Sequence, residues 1–132
     1  MTQLADYRIL VVDDDESVIN ILRRLLKKKG FRNIRSALNP VQALHIMEAA
    51  EKPFQMVISD QAMPEMKGTE LFKRVKDISP EARRILITGH SNFTAAVDAV
   101  NEGAIHQYIN KPWENEDIIS KIRYELDLFE KY

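Results

Sequence analysis

The stretch Met56–Gly68, MVISDQAMPEMKG, decides how the rest of the chain is read. Met56, Val57, Ile58 and Ser59 form an apolar run of strand length, bounded by Pro53 before it and by a loop containing Pro64 and Gly68 after it. The strand delivers Asp60 to its own carboxyl end. A carboxylate there has lost the hydration of an open surface and calls for a cation, a proton donor or a chemical task. Asp60 also has a plainer reading, as the residue that opens the turn continued by Pro64 and Gly68. The chemistry that other strands bring to the same edge decides between the two.

Upstream, Ile9–Val12 is a second apolar run, and it stops at Asp13, Asp14 and Asp15. Asp15 is placed to cap a helix whose apolar positions Val18, Ile21, Leu22, Leu25 and Leu26 keep helical spacing until Gly30. Asn33–Ala37 carries Arg35 and reads as an edge strand. Asn39 followed by Pro40 opens a helix with Val41, Leu44 and Met47, which closes before Pro53.

Downstream, Thr69–Ile78 is a helix stopped by Ser79 and Pro80, and Ile85, Leu86 and Ile87 make a fourth strand ending at Thr88. Asn92 is expected to cap the next helix, with Phe93, Ala96, Val97 and Val100 inward and Gly103 at its end. Tyr108 and Ile109 mark a fifth strand, followed by Asn110, Lys111 and Pro112. A last helix from about Asn115 carries Ile118, Ile119, Ile122, Leu126 and Phe129.

Strands alternating with helices imply a parallel sheet covered on both faces, because parallel strands need crossover connections. Continuous apolar runs in the first, third and fourth strands agree, since a strand buried on both sides does not alternate. The expectation is a doubly wound α/β domain of five strands and five helices. Ligands of such folds sit beyond the carboxyl ends of the strands, where the strand order reverses.

Composition narrows the function. At 132 residues and 45% hydrophobic content the chain is the size of one domain, and a single unit over 1–132 is expected. A net charge of −1 removes the global electrostatic argument for nucleic acid or an anionic membrane as partner. The run from Arg23 to Lys29 reads as the solvated flank of a helix. Without cysteine there are neither disulfides nor thiolate metal sites, and with no signal-like or spanning apolar segment the cytoplasm is the expected compartment.

Taken together, the strand ends place Asp13 and Asp14, Asp60, Thr88 and Lys111 on one edge of one sheet. Two carboxylate charges about 4 Å apart repel by about 4 kcal/mol at an effective dielectric near 20, so something positive belongs among them. Hard oxygen donors without His or Cys select Mg²⁺, which keeps waters and accepts phosphate oxygens. With an ammonium and a hydroxyl added, the set suits a phosphoryl group, and an Asp can itself be the nucleophile that forms an aspartyl phosphate.

On these residues the chain resembles the receiver domains of two-component response regulators over nearly its whole length. VVDD at Val11–Asp14, SDQAMPEMKG at Ser59–Gly68, ILITG at Ile85–Gly89 and YINKPW at Tyr108–Trp113 fall in that family's order and spacing. The resemblance implies a flavodoxin-like sheet of order 2-1-3-4-5. It makes Asp60 the phosphoacceptor, with Thr88 and Lys111 completing the catalytic set. Mg²⁺ would be held by Asp13, Asp14, Asp60 and the carbonyl of Ala62. Thr88 and Tyr108 would form the switch, Ala62 and His90 would tune phosphoryl lifetime, and the Lys111–Pro112 bond would be cis. The implied protein is a phosphoprotein of signal transduction or a phosphorelay, promoting its own phosphorylation and dephosphorylation without a separate turnover substrate.

The implied partners are a sensor histidine kinase or histidine phosphotransfer protein, and an output domain or effector outside this chain; a homodimer on phosphorylation is a further expectation. His45 and His106 read as ordinary helix or loop residues, and Trp113 as packing at the start of the last helix. Asp98, Glu102, Lys121 and Arg123 would keep the last two helices solvated. Two alternatives remain. Asp13 and Asp15 resemble the opening of haloacid-dehalogenase-like phosphatases, although Ser17 stands where Thr or Val is expected and Asp60 has no part in that chemistry. The other is a receiver that docks without accepting phosphate.

Overall fold

Residues 2–89 and 92–131 are described by the structure, a computed structural model. A 3₁₀ turn at Leu4–Asp6 leads into β1 (Arg8–Val12), α1 (Glu16–Lys28), β2 (Asn33–Ala37), α2 (Pro40–Ala49) and β3 (Met56–Asp60). Then follow α3 (Gly68–Ile78), β4 (Arg83–Thr88), α4 (Phe93–Asn101), β5 (Gln107–Asn110) and α5 (Asn115–Lys131). The five strands are parallel in the order β2-β1-β3-β4-β5, as the resemblance implied.

Strand alternation sorts the core into two layers. Ile9, Val11, Met56, Ile58, Ile85 and Ile87 point to the side covered by α1 and α5, while Leu10, Val12, Val57 and Leu86 point to the side covered by α2, α3 and α4. Successive side chains leave opposite faces of a strand, so an unbroken apolar run is what a sheet covered on both faces requires. Each fully buried Leu, Ile or Phe contributes about 2 kcal/mol relative to exposure.

Local signals act where expected. Asp15 caps α1 by accepting from the Ser17 amide, Asn39 caps α2 by accepting from that of Gln42, and Gly30 and Gly103 take positive φ past the ends of α1 and α4. The Lys111–Pro112 bond is cis. Trp113 is partly buried against the α1/α5 layer.

The buried faces differ from the apolar spacing by part of a helical turn. In α1 the buried stripe is Ile19, Leu22, Leu25 and Leu26, and Ile21, about 100° round the helix from Leu22, is 53% exposed. In α2 the buried set is Pro40, Ala43, Leu44 and Met47, with Val41 outside it. In α4 the sheet receives Ala96 and Ala99, whose small side chains allow close approach, so Phe93 and Val100 fall on the exposed flank. Asn92 precedes α4 without a side-chain capping bond.

Polar burial supplied features that hydropathy did not signal. Glu125 of α5 is buried and pairs with Arg83 at 2.7 Å, fixing α5 across the start of β4. Arg84 is buried with its guanidinium donating to the carbonyls of Pro80, Ala82, Gly103 and Ala104. His106 is more than an ordinary loop residue. Its Nδ1 accepts from the Arg84 amide at 2.9 Å, and burial first, then the Arg84 charge, depresses its pKa to about 3.

Candidate functional site

The strand order places the chemistry. β2 and β3 lie on opposite sides of β1, so the order reverses between β1 and β3, and Val12 pairs with Ser59 there. The next residues, Asp13 and Asp60, therefore emerge side by side. Asp60 is in register with Ile87, so Thr88 follows one position beyond it on β4. Thr88 is in register with Asn110, the last residue of β5, and Lys111 follows it. Neighbouring strands are about 4.8 Å apart, so a cation on β5 crosses roughly 10 Å to reach β3, a span that a lysine stem covers.

Lys111 makes that crossing. Its Nζ lies 2.9 Å from Asp60 Oδ1 and 3.9 Å from Asp13 Oδ2. Asp13 and Asp60 are buried and Asp14 is exposed, and one oxygen of each lies within 4.8 Å of the others. Asp13 Oδ1 accepts from the Asp15 amide at 2.9 Å, which fixes its rotamer, while Oδ2 is buried with no hydrogen-bond donor. Burial pushes the Asp13 carboxyl up from its ordinary 3.8 to about 6. The Asp15 amide and Lys111 draw it down, and the charges of Asp60 and Asp14 raise it.

The donor set suits a hard divalent cation. It offers only oxygens, its carboxylates converge from two strand ends, and Asp13 Oδ2 has no hydrogen-bond donor among the described residues. A cation among them would neutralise charges that, among the described residues, Lys111 alone counters. Ala62 is exposed in the loop that follows Asp60. Thr88 is buried on the same edge, but its hydroxyl donates to the Gly89 carbonyl at 3.1 Å. Tyr108, on β5, is partly buried and edge-on to Phe93, with ring centroids 5.7 Å apart. His90 lies outside the described residues.

Two contributors were not foreseen. Gly68 is pressed against β3: a Cβ there would stand 2.4 Å from the Asp60 carbonyl oxygen. Gln61 is buried immediately after Asp60 and ties the loop to α3. A glycine opening a helix, and a glutamine directly after a buried strand, were the only traces that either left in the sequence.

Residues 9–123 match the family described as response regulator receiver domain, and the chain belongs to that family. It is 39% identical over 113 residues to a putative response regulator NtrX-like of Rickettsia bellii, covering 84% of this chain and 23% of that protein. It is 34% identical over 120 residues to the hydrogenase transcriptional regulatory protein HoxA of Cupriavidus necator, covering 90% of this chain and 24% of that one. The chain thus spans about a quarter of the length of these relatives. Among solved structures, a CheY-like response regulator receiver domain protein from Methanospirillum hungatei superposes with a TM-score of 0.85 at 29% identity, covering 95% of this chain and 97% of that one. The signal receiver domain of an HD domain-containing protein from Pseudomonas fluorescens gives 0.86 at 30% identity, covering 96% and 98%. Two-component signalling is the setting of this family, and its members are in general phosphoacceptors.

Proposed function

We propose that Asp60 accepts a phosphoryl group from a phosphohistidine on a sensor kinase or phosphotransfer protein, that the transfer needs Mg²⁺, and that it switches the surface around Tyr108. The observation that carries this reading is the convergence of Lys111 Nζ, 2.9 Å from Asp60 Oδ1, with oxygens of Asp13, Asp14 and Asp60 within 4.8 Å of one another.

Asp13, Asp14, Asp60 and the Ala62 carbonyl would hold the ion, which, when bound, supplies the positive charge that lets an anionic phosphoryl group approach carboxylates. The free oxygen of Asp60 attacks phosphorus, the new O–P bond forms as the P–N bond to the donor imidazole breaks, and the imidazole leaves with that bond's electrons and takes a proton from solvent. Lys111 then exchanges its carboxylate partner for a phosphoryl oxygen, countering charge where it develops. Thr88 turns its hydroxyl from the Gly89 carbonyl to the phosphoryl group. Loss of the group is attack by water at the same phosphorus. The small side chain of Ala62 leaves that path open, and His90 is the second position that would tune it.

Thr88 and Tyr108 are the switch of this reading. Rotation of Thr88 toward the phosphoryl group frees space beside β4, and Tyr108, one strand away, moves into it. Reversing a 1:99 population takes about 5.5 kcal/mol of differential stabilisation, which charge-assisted bonds from Thr88 and Lys111 are of the right kind to supply. The chain acts as one receiver unit, and an output domain or effector reads the altered surface, with dimer formation one form of that readout. An intact acceptor set speaks against a docking-only role, and membership of the receiver family sets the haloacid-dehalogenase reading aside. The test is phosphotransfer from a radiolabelled phosphohistidine domain. Label is expected on the wild type with Mg²⁺ and absent from Asp60→Asn; equal labelling of the two would refute the assignment.

A further inference from the structure

Gln61 is 2% exposed and uses its polar groups within the acceptor loop. Its amide donates to the Ile87 carbonyl at 2.9 Å, tying it to β4, and its carbonyl accepts from the Gly68 amide at 3.1 Å. Its side-chain Oε1 accepts from the Thr69 amide at 2.9 Å, and Nε2 donates to Thr69 Oγ1 at 3.4 Å. The residue in the N-cap position of α3, Lys67, makes no side-chain capping bond. Gln61 therefore closes the helix start from the far side of the loop, a task that usually falls to a short polar residue at the cap itself.

What lies between these anchors matters for the site. Ala62 is exposed, but its neighbours on both sides, Gln61 and Met63, are buried. The peptide units flanking Ala62 are thus held by a hydrogen-bonded anchor on one side and an apolar plug on the other. At the far end of the loop Gly68 abuts the Asp60 carbonyl, so the loop cannot shift without moving the strand that carries the acceptor.

We infer that Gln61 is a positioning residue that sets the direction of the Ala62 carbonyl toward the metal ion, through its clamp on Thr69. This rests on the phosphoacceptor reading above, in which that carbonyl is a ligand. Groups that orient metal ligands typically change affinity by about 10- to 100-fold when removed. The cross-tie is one such group, made by a side chain that touches neither the metal nor the phosphoryl group.

The experiment is calorimetric titration of the whole chain with MgCl₂, alongside thermal melts. Gln61→Met keeps the length of the side chain and removes the clamp; it is expected to bind Mg²⁺ about tenfold more weakly than the wild type. Gln61→Asn, too short to reach Thr69, is the second variant should the first not fold, with the same expectation. Val75→Ala, a buried position on α3 away from the loop, is the stability control: it should melt at least as early while binding Mg²⁺ as the wild type does. Unchanged Mg²⁺ affinity in the Gln61 variants, or an equal loss in Val75→Ala, would overturn the positioning role and leave the metal site standing. A wild type that binds no Mg²⁺ would overturn the metal reading and this role with it.

Discussion

Lys111 Nζ stands 2.9 Å from Asp60 Oδ1 and 3.9 Å from Asp13 Oδ2, so one ammonium just past β5 serves as counter-charge for two buried carboxylates, one at the end of β3 and one just past β1. Among the described residues no other cation pairs with either. Lys111→Met should therefore leave a cluster of like charges held together by the fold alone. The lysine is 34% exposed and screened by solvent, so the expected loss of metal-free stability is about 1 kcal/mol. Urea unfolding should show Mg²⁺ restoring more stability to Lys111→Met than to the wild type. Phosphoryl uptake at saturating Mg²⁺ should fall about a hundredfold, as when a preorganised charge-stabilising donor is removed.

Asp13 has the opposite character. Its carboxyl is raised from 3.8 to about 6, chiefly by burial, so the folded metal-free protein holds this proton more tightly than the unfolded chain does. The cost of its charge is fully present above about pH 6 and absent below about pH 4. Asp13→Asn is expected to stabilise the metal-free protein by up to about 3 kcal/mol at pH 7, with the gain vanishing toward pH 4. The same variant should lose the Mg²⁺-induced rise in melting temperature. Melts at several pH values, with and without Mg²⁺, check both.

Gly68→Ala places a Cβ where the Asp60 carbonyl oxygen would be 2.4 Å away and Leu86 Cδ1 2.7 Å away. Leu86 is a flexible neighbour, but the carbonyl belongs to the backbone of β3, so the backbone has to yield. A loss of about 1–3 kcal/mol is expected, the usual range for overpacking. Amide chemical shifts of Asp60 and Gln61 should move more than those of β1.

His106 sets a second pH dependence, with the reverse sign. Its folded pKa of about 3 lies below the ordinary 6.5, because burial and the Arg84 charge oppose its protonation and Nδ1 is already an acceptor. The unfolded chain takes up the proton first, so stability is lost as pH falls from about 6.5 toward 3. Compared with His106→Gln, the wild type should lose up to about 4 kcal/mol more across that window. The Asp13 contribution is common to both proteins and cancels, which is why the comparison reads His106 alone.

The strands and the site edge were legible because each rests on a local signal. Apolar runs such as Ile9–Val12 and Met56–Ser59 have one structural solution when both faces are covered, and the residues that end them are then placed by topology. Helix faces were less legible. Spacing puts Phe93 and Val100 inward, yet the direction in which a helix meets its sheet is set by tertiary packing, and in α4 the small side chains of Ala96 and Ala99 take the contact. The half-buried Arg83–Glu125 pair, the Arg84 carbonyl clamp and the Gln61 cross-tie were invisible, since each joins residues far apart in sequence or across a loop whose course the sequence does not dictate. Hydropathy marks all of these residues as surface.

The most direct measurement of the central claim is intact mass after incubation with acetyl phosphate or phosphoramidate, in parallel with and without Mg²⁺, for wild type, Asp60→Asn and Asp13→Asn. The account predicts one phosphoryl adduct on the wild type, labile to hydroxylamine as an acyl phosphate is, dependent on Mg²⁺ and absent from Asp60→Asn. An adduct that persists in Asp60→Asn and disappears in Asp13→Asn would contradict it, placing the nucleophile on β1's end of the site instead of on β3's.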